Sequence, residues 1–339
     1  MRSALTAPFT APLTALAAVV VLAACGTTEA PVTEQSAGAS ASASAGASAS
    51  TGPVTVTDAR GKQVKLDRPA ARVVSLEWGE TEMLVSLGVM PVGAADVKGY
   101  ATWDTAAKLD SSVKDVGMRQ EPSIDSISAL SPDLVVMESD DEELAAQLEK
   151  FVPVIVAKGS DAADNLKRMR DDLNMIATAV GKTDAATKLM SDFDAAMADG
   201  KAKLAAAGAA GKPFVMADGW KQGSTISVRL FGKGSLVSEV ATQLGLKNAW
   251  TGKVDGQWGL GTTDVEGLSV LKDPNLRFFY NASDGEDVFA DGLDKNAIWK
   301  SLPFVEKQQV TKLPDGIWTF GGPLSCRQFA DALVKAYTG

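Results

Sequence analysis

The chain has 339 residues, 45% hydrophobic and 22% charged, which is enough for two domains that each bury their own core. Its formal net charge of −9 disfavours nucleic-acid binding, because that function needs basic patches that meet phosphates. With no histidine and only two cysteines, Cys25 and Cys326, the sequence excludes His-based triads, imidazole metal sites and Cys-cluster metal sites.

The N-terminus is predicted to be a lipoprotein export signal. Arg2 supplies the positive start, residues 13–22 form an apolar run, and small residues precede Cys25. This arrangement resembles the lipobox of bacterial lipoproteins, in which the signal is cleaved and the cysteine is lipidated. We predict a signal peptide over residues 1–24, lipidation at Cys25, and attachment to the extracytoplasmic side of the cell membrane by lipid alone. A plain secretory signal is the alternative.

Residues 25–52 are predicted to be a flexible tether behind the lipidated cysteine. They are nearly all small or polar, with an Ala-Ser repeat over residues 37–50. Such a segment cannot bury enough apolar surface to offset the entropy lost on ordering it. The folded body is therefore expected to begin at residue 53.

From residue 53 the pattern predicts an N-terminal α/β lobe over residues 53–160. A β-hairpin is expected first, over 54–57 and 63–66. Short apolar runs then predict strands at 72–76, 91–93, 134–137 and 154–156. Helices are predicted between them, at 79–87, 123–130 and 142–150. This alternation favours a mostly parallel sheet with helices on both faces.

A helical segment over residues 161–210 and a second α/β lobe over residues 211–339 are predicted next. Apolar residues recur at steps of three and four from Leu166 to Val180, and Gly181 interrupts the pattern. Beyond it, strands are predicted at 214–216 and 277–280, and helices at 235–244, 265–271 and 324–337. The predicted fold is two α/β lobes with central, mostly parallel sheets, joined by a single long helical segment, with a ligand cleft between the lobes.

No catalytic motif stands out in the sequence. The chain lacks Walker and dinucleotide spacing, and the acidic run at 140–143 lacks the spacing of an EF-hand. Cys326 is predicted to be a half-buried helical thiol. A surface-anchored hydrolase that uses a pair of carboxylates stays open as an alternative function.

Aromatic residues are concentrated where loops are predicted at strand ends. In α/β lobes, loops at the carboxyl ends of strands line the ligand crevice, and rings there give large contact areas at little entropic cost. We therefore predict ligand contacts from Trp78, Tyr100, Trp103, Trp220, Trp258, Trp318 and Phe320. Trp250 and Trp299 lie in or beside helical patterns and are assigned to packing.

Several segments resemble the iron–siderophore-binding lipoproteins of ABC importers. They are Arg72 to Trp78, Leu87 to Val89, Val116 to Pro122 and Leu130 to Val135. The Leu-Glu-Trp and Gly-Met-Arg features within them are most similar to the ferric hydroxamate branch. The resemblance covers about residues 54–339. It implies a helix-linked two-lobe fold with little hinge motion, a ferric siderophore in a shallow cleft, and an ABC permease as partner.

The resemblance also implies roles for individual residues. Arg119 matches the arginine that contacts the hydroxamate oxygens, and Trp103, Trp258 and Trp318 match aromatic positions in the cleft. Asp125 and Glu266 match two acidic residues, one on each lobe, that dock into basic pockets of the permease. The sequence departs from the family at residues 138–141, Glu-Ser-Asp-Asp, where hydroxamate-binding relatives can carry a cleft tyrosine.

The chemistry of ferric iron is consistent with these residues. Ferric ion prefers oxygen ligands, and a hexadentate chelator supplies them all, so we expect no metal ligands and no cofactor from the protein. Arg119, with Arg229 as a second donor, would hydrogen-bond the chelating oxygens. The acidic net charge favours a cationic ferrioxamine-like chelate over anionic ferric citrate. We expect a monomeric binding protein and no enzyme; ferric citrate, a catecholate siderophore, haem and cobalamin stay open as ligands.

Overall fold

The computed structural model describes residues 52–138, 141–223 and 225–339. The predicted signal peptide, the lipidation site at Cys25 and residues 25–51 of the predicted tether lie outside these residues. Among the residues described, no helix is both long enough and apolar enough to cross a bilayer.

The N-terminal lobe is built on a parallel sheet. Its elements are β1 (Val54–Thr57), β2 (Gln63–Leu66), β3 (Val73–Ser75), α1 (Trp78–Ser86), β4 (Gly93–Ala94), α2 (Val97–Trp103), β5 (Lys114–Asp115), β6 (Gly117–Met118), β7 (Glu121–Pro122), α3 (Ile124–Ala129), β8 (Leu134–Glu138), α4 (Glu142–Leu148) and β9 (Val154–Ala157). The strand order is β5-β4-β3-β8-β9, and every pairing in it is parallel. The predicted strands and helices of this lobe are confirmed to within a few residues, whereas α2, β5 and the β6–β7 hairpin were not predicted.

Two helices follow the first lobe, α5 (Asn165–Ala179) and α6 (Thr183–Ala206). The predicted stripe on α5 is confirmed, since Met169, Leu173 and Ile176 are all buried. Gly181 has φ of +67°, a conformation that L side chains rarely adopt, and this ends α5. The predicted helical segment is therefore two helices in succession.

The C-terminal lobe contains a mixed sheet. Its elements are β10 (Pro213–Gln222), β11 (Thr225–Phe231), α7 (Leu236–Gln243), β12 (Lys247–Asn248), β13 (Leu260–Thr263), β14 (Arg277–Tyr280), α8 (Ala297–Lys300), α9 (Pro303–Glu306), β15 (Val310–Lys312) and α10 (Pro323–Thr338). The order β13-β11-β10-β14-β15 is antiparallel from β13 to β10 and parallel from β10 to β15. The segment Glu266–Val270, predicted as part of an α-helix, is a 3-10 helix, and Val288–Gly292 is a π-helical turn.

The two lobes share one hydrophobic core. A single cluster of buried side chains runs from Val73 and Leu134 in the first lobe, through Leu173, to Phe214 and Phe329 in the second. Helix α5 packs against α1 and against α7, and α6 packs along α10. Because separating the lobes would expose this shared apolar surface, the packing opposes large relative movement.

One acidic side chain of α1, that of Glu80, is buried without hydrogen-bond partners for both of its oxygens. Glu80 is fully buried, and its Oε2 has no hydrogen-bond partner among the residues described. Burial, reinforced by the charges of Asp172 and Glu77, raises the pKa of Glu80 to about 8. The folded protein therefore keeps this carboxyl protonated at neutral pH.

We expect Glu80→Gln to stabilise the protein increasingly as pH rises. The unfolded chain releases this proton near the ordinary pKa of 4.5, while the folded chain holds it until about 8. Below the lower pKa both states hold the proton, and this contribution to the free energy of unfolding is fully present. As pH rises towards the upper pKa, only the unfolded chain releases the proton, so the contribution is lost. The gain of Glu80→Gln over wild type should be larger at pH 8 than at pH 5, by on the order of 3 kcal/mol.

Urea unfolding at the two pH values measures this difference. Glu306→Gln, at an exposed glutamate on α9, is the matched control and should show no such pH-dependent gain. An equal gain for both variants, or no pH dependence for Glu80→Gln, would contradict the assignment of a buried neutral carboxyl.

Candidate ligand-binding site

A cavity of about 510 Å³ lies between the two lobes, at the ends of strands from both sheets. The cleft predicted from the sequence is therefore present. The cavity is lined by Glu77, Trp78, Gly79, Trp103, Arg119, Gln120, Glu138, Asp218, Arg229, Trp258, Leu260, Trp318, Thr319 and Phe320. The wall thus combines two cations, three carboxylates and five aromatic rings.

Arg119 lies in the turn between β6 and β7, on the wall formed by the first lobe. Its Nη1 donates to Oε2 of Glu77 at 2.7 Å, and its guanidinium carbon is 4.0 Å from the centroid of the Trp78 ring. The side chain keeps 21% of its surface exposed. A guanidinium carries several N–H donors, so the Glu77 contact leaves donor capacity for a ligand in the cavity.

Arg229 lies on β11, on the wall formed by the second lobe. Asp218 is directly opposite it on β10, and the guanidinium donates to both carboxylate oxygens, from Nε at 2.9 Å and from Nη2. The Phe320 ring centroid is 5.2 Å from the guanidinium carbon. Burial raises the pKa of Asp218, and the charge of Arg229 opposes this. Each lobe therefore contributes an arginine held by a carboxylate and placed over an aromatic ring.

The aromatic side chains form a connected cluster with Trp318 at its centre. The centroid of the Trp318 ring is 4.8 Å from the ring centroid of Trp78, 6.3 Å from that of Trp103 and 5.2 Å from that of Phe320, and all three pairs are edge-to-face. Trp258 extends the cluster through Phe320, at 5.4 Å. Edge-to-face pairs fix ring orientation, so this wall is a preformed apolar surface.

Most of the ring and arginine positions predicted from the sequence meet at this cavity. Those that line it are Trp78, Trp103, Arg119, Arg229, Trp258, Trp318 and Phe320. Trp78 is nearly buried and mainly supports Arg119 and Trp318. Trp220 lies outside the lining, 41% exposed, with its ring 6.0 Å from the guanidinium of Arg229. Its contact with a ligand stays a prediction.

The prediction that Tyr100 contacts the ligand is wrong. Tyr100 is 1% exposed, and its hydroxyl donates to the backbone oxygen of Ala107. The local pattern predicts a loop here, whereas residues 97–103 form α2, which turns Tyr100 inward and leaves Trp103 at the cavity. Burial raises the pKa of the Tyr100 hydroxyl, so it stays protonated.

Three acidic residues of the cavity were not predicted as site residues. Glu77 and Asp218 are the partners of the two arginines, and Glu138 stands at the carboxyl end of β8. The rule that ligand crevices form at carboxyl strand ends could have identified Glu138. Asp218 could only be assigned once the register of β10 against β11 was known.

The structure also shows where the predicted docking residues and the residues assigned to packing lie. Asp125 lies in the first turn of α3 and Glu266 at the start of the 3-10 helix, and both are exposed. Their docking role stays a prediction. Cys326 lies on a helix, as predicted, but it is fully rather than half-buried, 3.7 Å from the Met169 sulfur, and burial raises the pKa of its thiol. Trp299 packs among Phe278 and neighbouring rings, also as predicted.

Two α/β lobes, a helical connection and a preformed cavity between the lobes are the architecture of a protein that binds a small solute. The model of the periplasmic binding protein family matches residues 73–316, and the chain belongs to this family. Among the residues described, no group of three or more Asp, Glu or Cys side chains is arranged to hold a metal ion.

Individual relatives agree with this assignment. The chain is 27% identical to the iron(3+)-hydroxamate-binding protein FhuD of Escherichia coli, over 79% of this chain and 87% of FhuD. It is 28% identical to the probable siderophore-binding lipoprotein YfiY of Bacillus subtilis, over 95% of both chains. The Fe(3+)-citrate-binding protein YfmC of the same organism is 29% identical, over 83% of this chain and 85% of YfmC.

A solved structure shows the same fold. The Fe3+–Desferal-bound siderophore-binding protein FhuD of Vibrio cholerae superimposes with a TM-score of 0.71 at 27% identity, covering 79% of this chain and 98% of that protein.

Proposed function

We propose that this protein captures a ferric siderophore outside the cytoplasm and delivers it to an ABC importer. The observation that carries the proposal is the cavity itself, in which an arginine from each lobe lies against a wall of aromatic rings. A chelator that fills the coordination sphere of iron presents partly negative oxygens and hydrocarbon arms. Guanidinium groups suit the oxygens, and aromatic rings suit the arms.

The proposed ligand is a ferric hydroxamate that is neutral or cationic. The charged side chains of the lining are Arg119 and Arg229 against Glu77, Glu138 and Asp218, a formal sum of −1. Because each arginine already has a carboxylate partner, the cavity opposes an anionic chelate such as ferric citrate. The named ligands of the relatives include hydroxamates and citrate, and the charge of this lining favours the former.

The remaining features of the proposal follow from the family and the sequence. The proposed location is the extracytoplasmic face of the membrane, through a lipid on Cys25; relatives of this chain are lipoproteins by name. The proposed partners are a ferric siderophore and a permease that contacts Asp125 and Glu266. We propose that the protein acts as a monomer, binds iron only within the chelate, and carries out no chemical reaction on it.

Quenching of tryptophan fluorescence tests this function. The purified protein is titrated with ferrioxamine, ferrichrome, a ferric catecholate of the enterobactin type, ferric citrate and iron-free desferrioxamine. We expect tight binding of the ferric hydroxamates and clearly weaker binding of the iron-free chelator. Absence of binding to every ferric chelate would refute the function, and a preference for ferric citrate would refute the hydroxamate assignment.

Glu138→Gln should reduce the preference of the protein for a cationic chelate over an anionic one. Removing one carboxylate from the lining lowers the electrostatic cost of an anionic chelate and weakens the attraction for a cationic one. We expect the ratio of ferrioxamine affinity to ferric citrate affinity to fall by roughly fivefold. Glu143→Gln, at an exposed glutamate of α4 outside the cavity, is the control. An unchanged ratio in Glu138→Gln would contradict the charge argument.

A further inference from the structure

A buried glutamate directly behind the aromatic wall connects the two lobes. Glu82 lies one turn after Trp78 on α1 and has no exposed surface. Its carboxylate accepts backbone N–H hydrogen bonds from Gly322 at 2.7 Å, Leu324 at 2.9 Å and Ser325 at 3.1 Å. These amides form the start of α10, where N–H groups otherwise lack partners. Since Gly322 has no side chain to cap this helix, Glu82 of the other lobe supplies the cap.

The backbone at this contact is built to admit the carboxylate. A Cβ atom at Gly321 would overlap Oε2 of Glu82, and one at Gly322 would lie 3.0 Å from Oε1. These glycines immediately follow the segment that carries Trp318 and Phe320. The contact therefore fixes that segment of the cavity wall directly against α1.

Asp104 brings a third segment to the same point. It follows Trp103 at the end of α2, is 1% exposed, and its Oδ1 accepts from the Ala106 amide at 3.0 Å and lies 3.5 Å from the Ser325 hydroxyl. Burial and the charge of Glu82 raise the pKa of Asp104 to about 9, so Asp104 is neutral at pH 7. Burial raises the pKa of Glu82 as well, but the hydrogen bonds that Glu82 accepts from Gly322, Leu324 and Ser325 oppose this shift. Asp104 is therefore the member of the pair that keeps the proton, and its Oδ2, which has no other partner among the described residues, can donate to the Glu82 carboxylate.

Three tryptophans of the cavity lie on or next to the segments that meet at Glu82. Trp78 begins the helix that carries Glu82, Trp103 directly precedes Asp104, and Trp318 lies just before the amides that Glu82 accepts from. We propose that Glu82 is a positioning residue for ligand binding, which holds these three indoles in their edge-to-face arrangement. Its role in affinity rests on the proposed function, whereas its role in indole geometry does not.

The second lobe offers a matched control. Helix α7 is followed by Leu244-Gly245-Leu246 as α1 is followed by Leu87-Gly88-Val89, and in both a glutamate lies five positions before the first leucine. This second glutamate, Glu239, accepts from the backbone amide of Leu166 at 2.8 Å, at the start of α5. Glu239 is only partly buried and also caps a helix, and its hydrogen bonds among the described residues go to the start of α5.

The test compares Glu82→Gln with Glu239→Gln in the full chain. Glutamine keeps the shape and an accepting oxygen, so both variants should fold, but it loses the charge at the helix start. For Glu82→Gln we expect about tenfold weaker ferrioxamine binding and altered tryptophan bands in the near-UV circular dichroism of the ligand-free protein. For Glu239→Gln we expect a lower Tm with affinity within about twofold of wild type and unchanged tryptophan bands.

The outcomes separate the positioning role from general stability and from the proposed function. Unchanged tryptophan bands in ligand-free Glu82→Gln overturn the proposal, as do equal losses of affinity in the two variants. Wild-type protein that binds no ferric siderophore refutes the proposed function alone, and the near-UV comparison then still decides whether Glu82 positions the indoles.

Discussion

Arg119→Ala is expected to weaken ferric hydroxamate binding by about 30- to 100-fold. Loss of a charged hydrogen-bond donor in a partly buried site costs about 2–3 kcal/mol, which corresponds to that change in Kd. The substitution also removes the partner of Glu77, 2.7 Å away, and leaves that carboxylate facing the chelating oxygens. Both effects act in the same direction. Fluorescence titration of variant and wild type with ferrioxamine measures the change.

Two further variants show whether the effect belongs to the site. Arg119→Lys keeps the charge but loses the planar donor geometry and the stacking on Trp78, so it should recover only part of the affinity. Arg170 is a matched residue outside the cavity, ion-paired with Asp194 and 5.6 Å from the Phe193 ring. Arg170→Ala should leave binding unchanged. Wild-type affinity in Arg119→Ala would remove that residue from the site.

Trp318→Leu is expected to weaken binding roughly tenfold or more. The Trp318 ring contacts Trp78, Trp103 and Phe320, so its loss removes a ligand-facing surface and releases the orientation of its neighbours. A contact between this ring and the chelate arms is expected to contribute about 0.5–1.5 kcal/mol beyond the area it buries, and the lost apolar area adds to this, which is enough for the effect. Isothermal titration calorimetry with ferrioxamine gives the affinity without depending on tryptophan emission.

Trp299→Leu separates binding from folding. Trp299 packs against Phe278, Phe289 and Phe304 in the core of the C-terminal lobe, away from the cavity. Its replacement should lower Tm and leave the affinity of the folded protein unchanged. If Trp318→Leu retained wild-type affinity, the aromatic wall would not be the contact surface for the chelate.

The sequence predicted cavity residues best where aromatic side chains lie in loops predicted at strand ends. Trp78, Trp103, Trp258 and Trp318 line the cavity, because strand ends of both lobes meet at one cleft. Trp220 lies outside the lining, since β10 continues past the predicted strand and carries it. Arg119 was assigned from resemblance to a family, and its place beside Trp78 agrees with that assignment. Tyr100 failed the same argument because its orientation depends on α2, a seven-residue helix that the local pattern did not reveal.

The pairing of charges could not be predicted from the sequence. Asp218 faces Arg229 only because β10 continues to Gln222 and returns as β11, and the polar segment 218–222 gives little local indication of a strand. Likewise, Glu82 meets the start of α10 across a separation of 240 positions. Both contacts depend on how distant segments pack, which local propensity does not encode.

The most direct test is a crystal structure of the protein with ferrioxamine, with the iron located by its anomalous scattering. We predict a single iron site in the cavity between the lobes, coordinated by six chelator oxygens that face Arg119 and Arg229. Iron outside this cavity, or iron bonded to the carboxylate of Glu77, Glu138 or Asp218, would contradict the account.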